Sequence, residues 1–119
     1  MRLVHYSDST DDSKRRILAA DVNVARSTVE QARGLMFRRS IPDGYALVFP
    51  FDGADSRWLH MLFVPFSIDA LWLVDGEVSA KSRLAPFVGL GRGRADVIVE
   101  LPAGAADSVA VGDRIELVD

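Results

Sequence analysis

Ile68-Asp69-Ala70-Leu71-Trp72-Leu73-Val74, then Asp75-Gly76, then Glu77-Val78-Ser79-Ala80-Lys81, is the stretch that decides the fold. Its first seven residues are apolar except Asp69. A short, nearly continuous apolar run of this kind reads as a strand buried on both faces. Asp-Gly is the strongest hairpin signal in the chain, because a two-residue type I′ turn needs positive φ at both central positions. The flanking sequence reads as walls built around this hairpin.

Upstream, residues 58–63 read as the next strand, with Val64-Pro65-Phe66 as a kink or crossover. Residues 52–56 form a loop, and 45–51 a strand that Pro50 ends or pushes to an edge. Downstream, residues 86–94 read as a loop with Gly89, Gly91 and Gly93 at every second position. Residues 95–101 alternate as a strand should. Pro102-Ala103-Gly104 opens a short helix to about residue 109, and Gly112-Asp113 turns into a last strand, 114–118. Toward the N-terminus, Ser27-Thr28-Val29-Glu30 is a capping box for a helix that stops at Gly34. Residues 2–6 and 17–25 read as a hairpin across the polar turn 7–13.

The sum is one domain, 1–119, with an N-terminal hairpin (1–23) and a core (24–117). Its class is α+β: a compact, curved, mainly antiparallel sheet, a partial barrel of seven or eight short strands with two short helices. A chain of 119 residues with 49% hydrophobic content can bury roughly two thirds of its unfolded surface and hold one core without staples.

Composition narrows the function classes. The absence of cysteine excludes disulfides, thiolate metal sites and cysteine nucleophiles. Two histidines without cysteine speak against zinc, so no metal and no cofactor is expected. The net charge is −3 and no run of Lys or Arg exceeds three, at Lys14-Arg15-Arg16, so no nucleic-acid footprint is expected. Asp outnumbers Glu 13 to 4 and Arg outnumbers Lys 12 to 2, a bias that a high-GC genome or the salt-rich cytoplasm of a halophilic archaeon would produce. Residues 1–12 lack the apolar core of a secretory leader, and 61–74 is too short and interrupted to span a bilayer. The expectation is a cytoplasmic protein with no membrane association.

Arg33-Gly34-Leu35-Met36-Phe37-Arg38 resembles the opening signature of the family called domain of unknown function 192. His60-Met61-Leu62-Phe63 with Phe66-Ser67-Ile68-Asp69 and the following strand and Asp-Gly turn resembles its second signature. Val99-Glu100-Leu101-Pro102-Ala103-Gly104 and Val111-Gly112-Asp113 resemble its third and fourth. The four blocks stand in order over nearly the whole chain. Ser67 stands where the family has proline, and Val64-Pro65 where it has Met-Arg. The resemblance implies a compact α+β domain with a curved sheet, and it implies no reaction.

The candidate polar residues are few. His60 can act as acid, base or ligand, or simply be hydrogen-bonded at the rim of the sheet. Asp69 inside an apolar strand needs a partner, with Arg38, Arg83 or amides of the glycine loop as candidates. Glu100 either caps the following helix or faces a cleft. Arg92 and Arg94 on the glycine loop can pair bidentately with an anion. Neither Ser56 nor Ser67 sits in a nucleophile elbow, and the glycine loop lacks the Walker lysine. Trp58, Phe63, Phe66 and Trp72 read as core, unless one is exposed as a platform.

These residues lead to a binding domain for a small anionic ligand or a protein partner. Arg38, His60, Asp69 and Glu100 would line a cleft of the sheet, with Arg92 and Arg94 above it. The alternative is a small hydrolase-like enzyme with His60 as general base oriented by Asp69. A third class is an interaction module that docks by a strand edge, for which an apolar patch around Trp58 would speak.

Overall fold

A computed structural model describes residues 1–7 and 15–119. The polar turn expected at 7–13 lies almost wholly outside the described residues. Eight strands and one helix follow in order: β1 (Arg2–Tyr6), β2 (Arg15–Ala19), β3 (Asp21–Val24), α1 (Thr28–Arg33), β4 (Tyr45–His60), β5 (Ile68–Val74), β6 (Glu77–Leu84), β7 (Leu90–Pro102) and β8 (Arg114–Val118). They form one mixed sheet in the order β2-β1-β8-β6-β5-β7-β4-β3. The sheet is open, with β2 and β3 as its edges, rather than barrel-like.

The central hairpin forms as its sequence requires. Asp75 and Gly76 take φ of 51° and 80°, and Val74 pairs with Glu77. β5 lies between β6 and β7 and is buried along nearly its whole length. Its side chains feed two cores, one per face. Leu71 and Leu73 join Val48, Val99, Leu101 and Ile115. Ile68, Ala70 and Trp72 join Leu47, Phe49, Met61 and Ile98. Burying one such large side chain contributes about 1.5–3 kcal/mol, so this strand ties both layers together.

Four expectations are corrected. The strands expected at 45–51 and 58–63 are one strand, β4, interrupted by an irregularity between Pro50 and Asp55. Pro50 offers no amide to the ladder there, and Arg57 bridges the bend. It donates to the carbonyls of Gly53 and Ala95 and lies 3.9 Å over the Phe51 ring. The glycine loop is also a strand from Leu90 onward. A Cβ at Gly91 or Gly93 would stand 2.8 or 2.5 Å from Trp72. The alternation therefore clears one face of β7 for the indole and makes no mobile loop.

The expected second helix is absent. Residues 103–109 form consecutive turns, with Gly104 at φ 96°. The amides of Gly104 and Ala106 donate to Asp69, and Lys81 Nζ donates to the carbonyls of Ala106 and Val109. The amides of Ala105, Asp107 and Val109 donate to the carbonyls three residues back, of Pro102, Gly104 and Ala106, and Gly104 is outside the helical region, so the segment is a chain of turns and not an i→i−4 ladder. Finally, the strand expected at 17–25 divides at Ala20. Ala20 and Asp21 both donate to the Gly44 carbonyl, and β3 then runs parallel to β4.

α1 is as its capping box predicts. Glu30 N donates to Ser27 Oγ at 3.0 Å, Ser27 N donates to Glu30 Oε1 at 3.3 Å, and Gly34 ends the helix at φ 50°. None of its residues is buried, so it is held by side-chain hydrogen bonds rather than packing. Gln31 Nε2 donates to the carbonyls of Ala25 and Pro50. The next apolar residue, Leu35, then enters the core.

Because Trp72 fills the space above Gly93, a methyl group there has nowhere to go. Gly93→Ala is expected to lower stability by about 1–3 kcal/mol, the usual cost of overpacking, read from urea unfolding. An unchanged midpoint would mean the slot is not tight.

Candidate functional site

Strand alternation separates the two buried carboxyls among the sequence candidates, Asp69 and Glu100. On β5, Asp69 shares the face of Leu71 and Leu73. On β7, Glu100 shares the face of Ile98. The polar residues expected to converge therefore form two separate groups.

Asp69 is fully engaged. Its carboxylate accepts from Arg83 Nε at 2.8 Å and from the amides of Gly104 and Ala106 at 3.0 Å each. Arg83 also bonds Asp107. Burial pushes the Asp69 carboxyl up, but the Arg83 and backbone hydrogen bonds outweigh it and hold the group below its ordinary value. Neither Arg38 nor the glycine stretch supplies the partner. Asp69 anchors the 103–109 turns and does not orient His60.

Glu100 is the opposite case. It is 3% exposed, and among the described residues no hydrogen bond or ion pair reaches its carboxyl. Burial alone pushes it up to about 8. It does not cap a helix, since none follows. Instead it lines a cavity of about 120 Å³ with Gln31, Arg33, Gly34, Phe49, Trp58 and His60. The helix stop lies beside it: a Cβ on Gly34 would stand 3.5 Å from Glu100 Oε1, in ordinary contact.

His60 closes the outer side of the cavity. Its Nδ1 accepts from the Leu62 amide at 3.2 Å, which leaves Nε2 to carry the proton of the neutral ring. Arg33 and Gly34 also border a second cavity of about 340 Å³, lined by Asn23, Glu30, Leu47 and Arg38. Arg38 lies 5.0 Å over the Tyr45 ring. Of the sequence candidates, then, His60 and Glu100 share one cavity and Arg38 lies in the next. Arg92 stacks 5.2 Å over Trp58 at the rim. Arg94 lines none of these cavities.

Arg33 and Trp58 were missed as cavity residues. Arg33 was legible in principle, because a helix stopped by Gly34 places its last-turn residue beside the stop. Trp58, read as core or else as an exposed platform, is 62% exposed. The buried pair His5 Nε2–Asp113 Oδ2, 2.8 Å, was also missed. It joins β1 to the turn before β8 and is structural. No group of three or more His, Cys, Asp or Glu side chains suited to a metal occurs among the described residues, and no helix there is long and apolar enough to cross a membrane.

The family model of DUF192, described as an uncharacterized ACR, matches residues 9–117. The chain belongs to this family. Its relatives include the UPF0127 protein PH1112 of Pyrococcus horikoshii, 31% identical over 112 residues that cover 89% of this chain and 95% of that one. Two solved structures share the fold at a TM-score of 0.82. One, from Sinorhizobium meliloti, is provisionally described as a transcription regulator and is 20% identical over 97% of this chain and 92% of its own. The other, a protein of unknown function from Novosphingobium aromaticivorans, is 22% identical over 98% and 84%. At these identities the likeness establishes the family's fold and no activity.

Two pH effects of opposite sign follow. Glu100 holds its proton more tightly folded than unfolded, so its contribution is greatest below about pH 4.5 and is lost as pH rises toward 8. Glu100→Gln removes that loss and is expected to be more stable than wild type at neutral pH, by on the order of 3 kcal/mol. Denaturant unfolding across pH checks this, and an advantage that does not grow with pH would refute it. Asp69 holds its proton less tightly when folded, so its contribution is present above about pH 4 and is lost below. Asp69→Ala, which strands two amides, is expected to cost about 2–4 kcal/mol at pH 7.

Proposed function

We propose that the protein is a small-molecule binding domain that takes an anionic ligand into the paired cavities between α1 and the β4–β7 ledge. The observation that supports this reading is the Glu100 carboxyl: buried, without a partner, and bordering a cavity. An unsatisfied buried polar group costs about 1–3 kcal/mol, and a ligand that supplies the missing hydrogen bond recovers that cost on binding.

Apart from Glu30, whose carboxylate accepts from the Ser27 amide, the chemistry of the surrounding groups favours an anion. At neutral pH the Glu100 carboxyl is protonated and can donate. His60 Nε2–H and the guanidinium groups of Arg33 and Arg38 are donors too. A carboxylate or phosphate presents only acceptors to such a set, and guanidinium meets either in a fork. The smaller cavity suits a ligand of a few heavy atoms, and the larger one has room for a small metabolite or for a ligand that bridges both. Asp69, engaged on the other face, has no part in it. The hydrolase-like alternative loses support because its proposed orienting residue is elsewhere.

Thermal-shift measurements with inorganic phosphate, citrate and short-chain dicarboxylates test the reading, since a ligand that binds only the folded state must stabilise it. A binding anion is expected to raise Tm, less so above pH 8, where Glu100 ionises and repels it. The shift is expected to disappear in Glu100→Leu, which fits the buried site without a polar group. A shift retained by Glu100→Leu, or no shift from any of these anions, counts against the proposal.

A further inference from the structure

Three turns meet at one end of the sheet, and each carries a phenylalanine in the left-handed region. Phe37, Phe63 and Phe87 have φ of 68°, 61° and 64°. Bulky residues rarely adopt this conformation, which glycine or asparagine takes with little strain. None of the three rings is tucked away: they are 68%, 50% and 57% exposed. The turns are tied together by backbone hydrogen bonds, from Phe37 N to the Phe63 carbonyl and from Phe87 N to the Val64 carbonyl. Phe37 and Phe63 stack at 5.0 Å. Leu62 and Val88 on the same turns and Leu90 at the start of β7 are exposed too, at 54%, 82% and 61%.

The charge at this end is one-sided. The three stretches 31–42, 56–68 and 84–95 contain no Asp or Glu, although the chain as a whole is acidic. They supply Arg39, two residues beyond Phe37, and Arg92, stacked on exposed Trp58. None of the cavities at α1 or beside Asp69 is lined by the six exposed apolar residues.

From this we propose that the end carrying Phe37, Phe63 and Phe87 seats on an anionic lipid surface. The rings and aliphatic tips would enter the headgroup–acyl boundary, with Arg39 and Arg92 at the phosphates. Three observations favour lipid over another protein. The apolar groups stand on turn tips instead of lining a groove, and a bilayer needs no shape complement. Basic residues without acidic ones complement a negatively charged leaflet. A second copy of this chain placed face to face would bring arginines against arginines. Apolar area and electrostatic attraction together set the strength of such binding.

Flotation with vesicles of phosphatidylglycerol and phosphatidylcholine, against phosphatidylcholine alone, tests it. Wild type is expected to float at least tenfold more with the anionic vesicles. Emission from exposed Trp58 is expected to shift to the blue, while buried Trp72 contributes a constant background. The triple variant Phe37→Asn, Phe63→Asn, Phe87→Asn suits the left-handed backbone, so it is expected to keep or raise Tm and to lose flotation. Arg39→Gln with Arg92→Gln is expected to lose the preference for anionic vesicles. Both variants leave Glu100, His60, Arg33 and Arg38 untouched. Absence of flotation in wild type, undiminished flotation in the asparagine variant, or a self-association that this variant abolishes without any vesicle binding would each overturn the proposal.

Discussion

The indole of Trp72 occupies a slot that exists because alternate residues of β7 are glycine. Everything on that side of the sheet is arranged around this contact. Gly91 and Gly93 let β7 lie flat against the ring while its ladder to β4 continues from Arg94 to Leu90. The indole nitrogen donates to the Arg57 carbonyl at 3.1 Å, so the ring also fixes the outer half of β4. Trp58 and His60 belong to that outer half. The cavity they line is thus positioned by a packing contact on the opposite side of the strand.

Two buried carboxyls one sheet apart show how differently the same chemical problem can be met. Asp69 is supplied with a guanidinium and two amides, and in return it anchors the turn segment after β7 to β5. Glu100 is supplied with nothing. A glutamine or a leucine at that position would make a more stable protein, since burial of an acid without partners works against folding. A group held at such a cost is the kind that a binding site retains, and this contrast is what directs the proposed ligand to one cavity and not the other.

The same tension recurs at the end of the sheet. Three phenylalanines occupy backbone conformations made for glycine, with their rings in solvent. Neither feature helps the chain fold. On the proposed reading, the cavity and the aromatic end are separate devices on neighbouring parts of one rigid scaffold, and both are places where local stability has been given up.

What the residues determined by themselves was local. Asp75-Gly76 makes its turn, Ser27 and Glu30 cap their helix, Gly34 stops it, and the unbroken run of β5 is buried on both faces, because each depends on backbone preferences or on burial that a few neighbouring residues dictate. Family membership was legible for the same reason, from short blocks in order. The tertiary structure decided which polar groups meet. Alternation along β5 and β7 sets Asp69 and Glu100 on opposite faces, and a residue's face is defined only once its strand has neighbours. It also decided that Gly91 and Gly93 serve Trp72, that 103–109 is a chain of turns tied to Asp69 and Lys81, and that three distant turns share one surface. Those outcomes rest on contacts between residues far apart in the chain, and no local pattern carries that information.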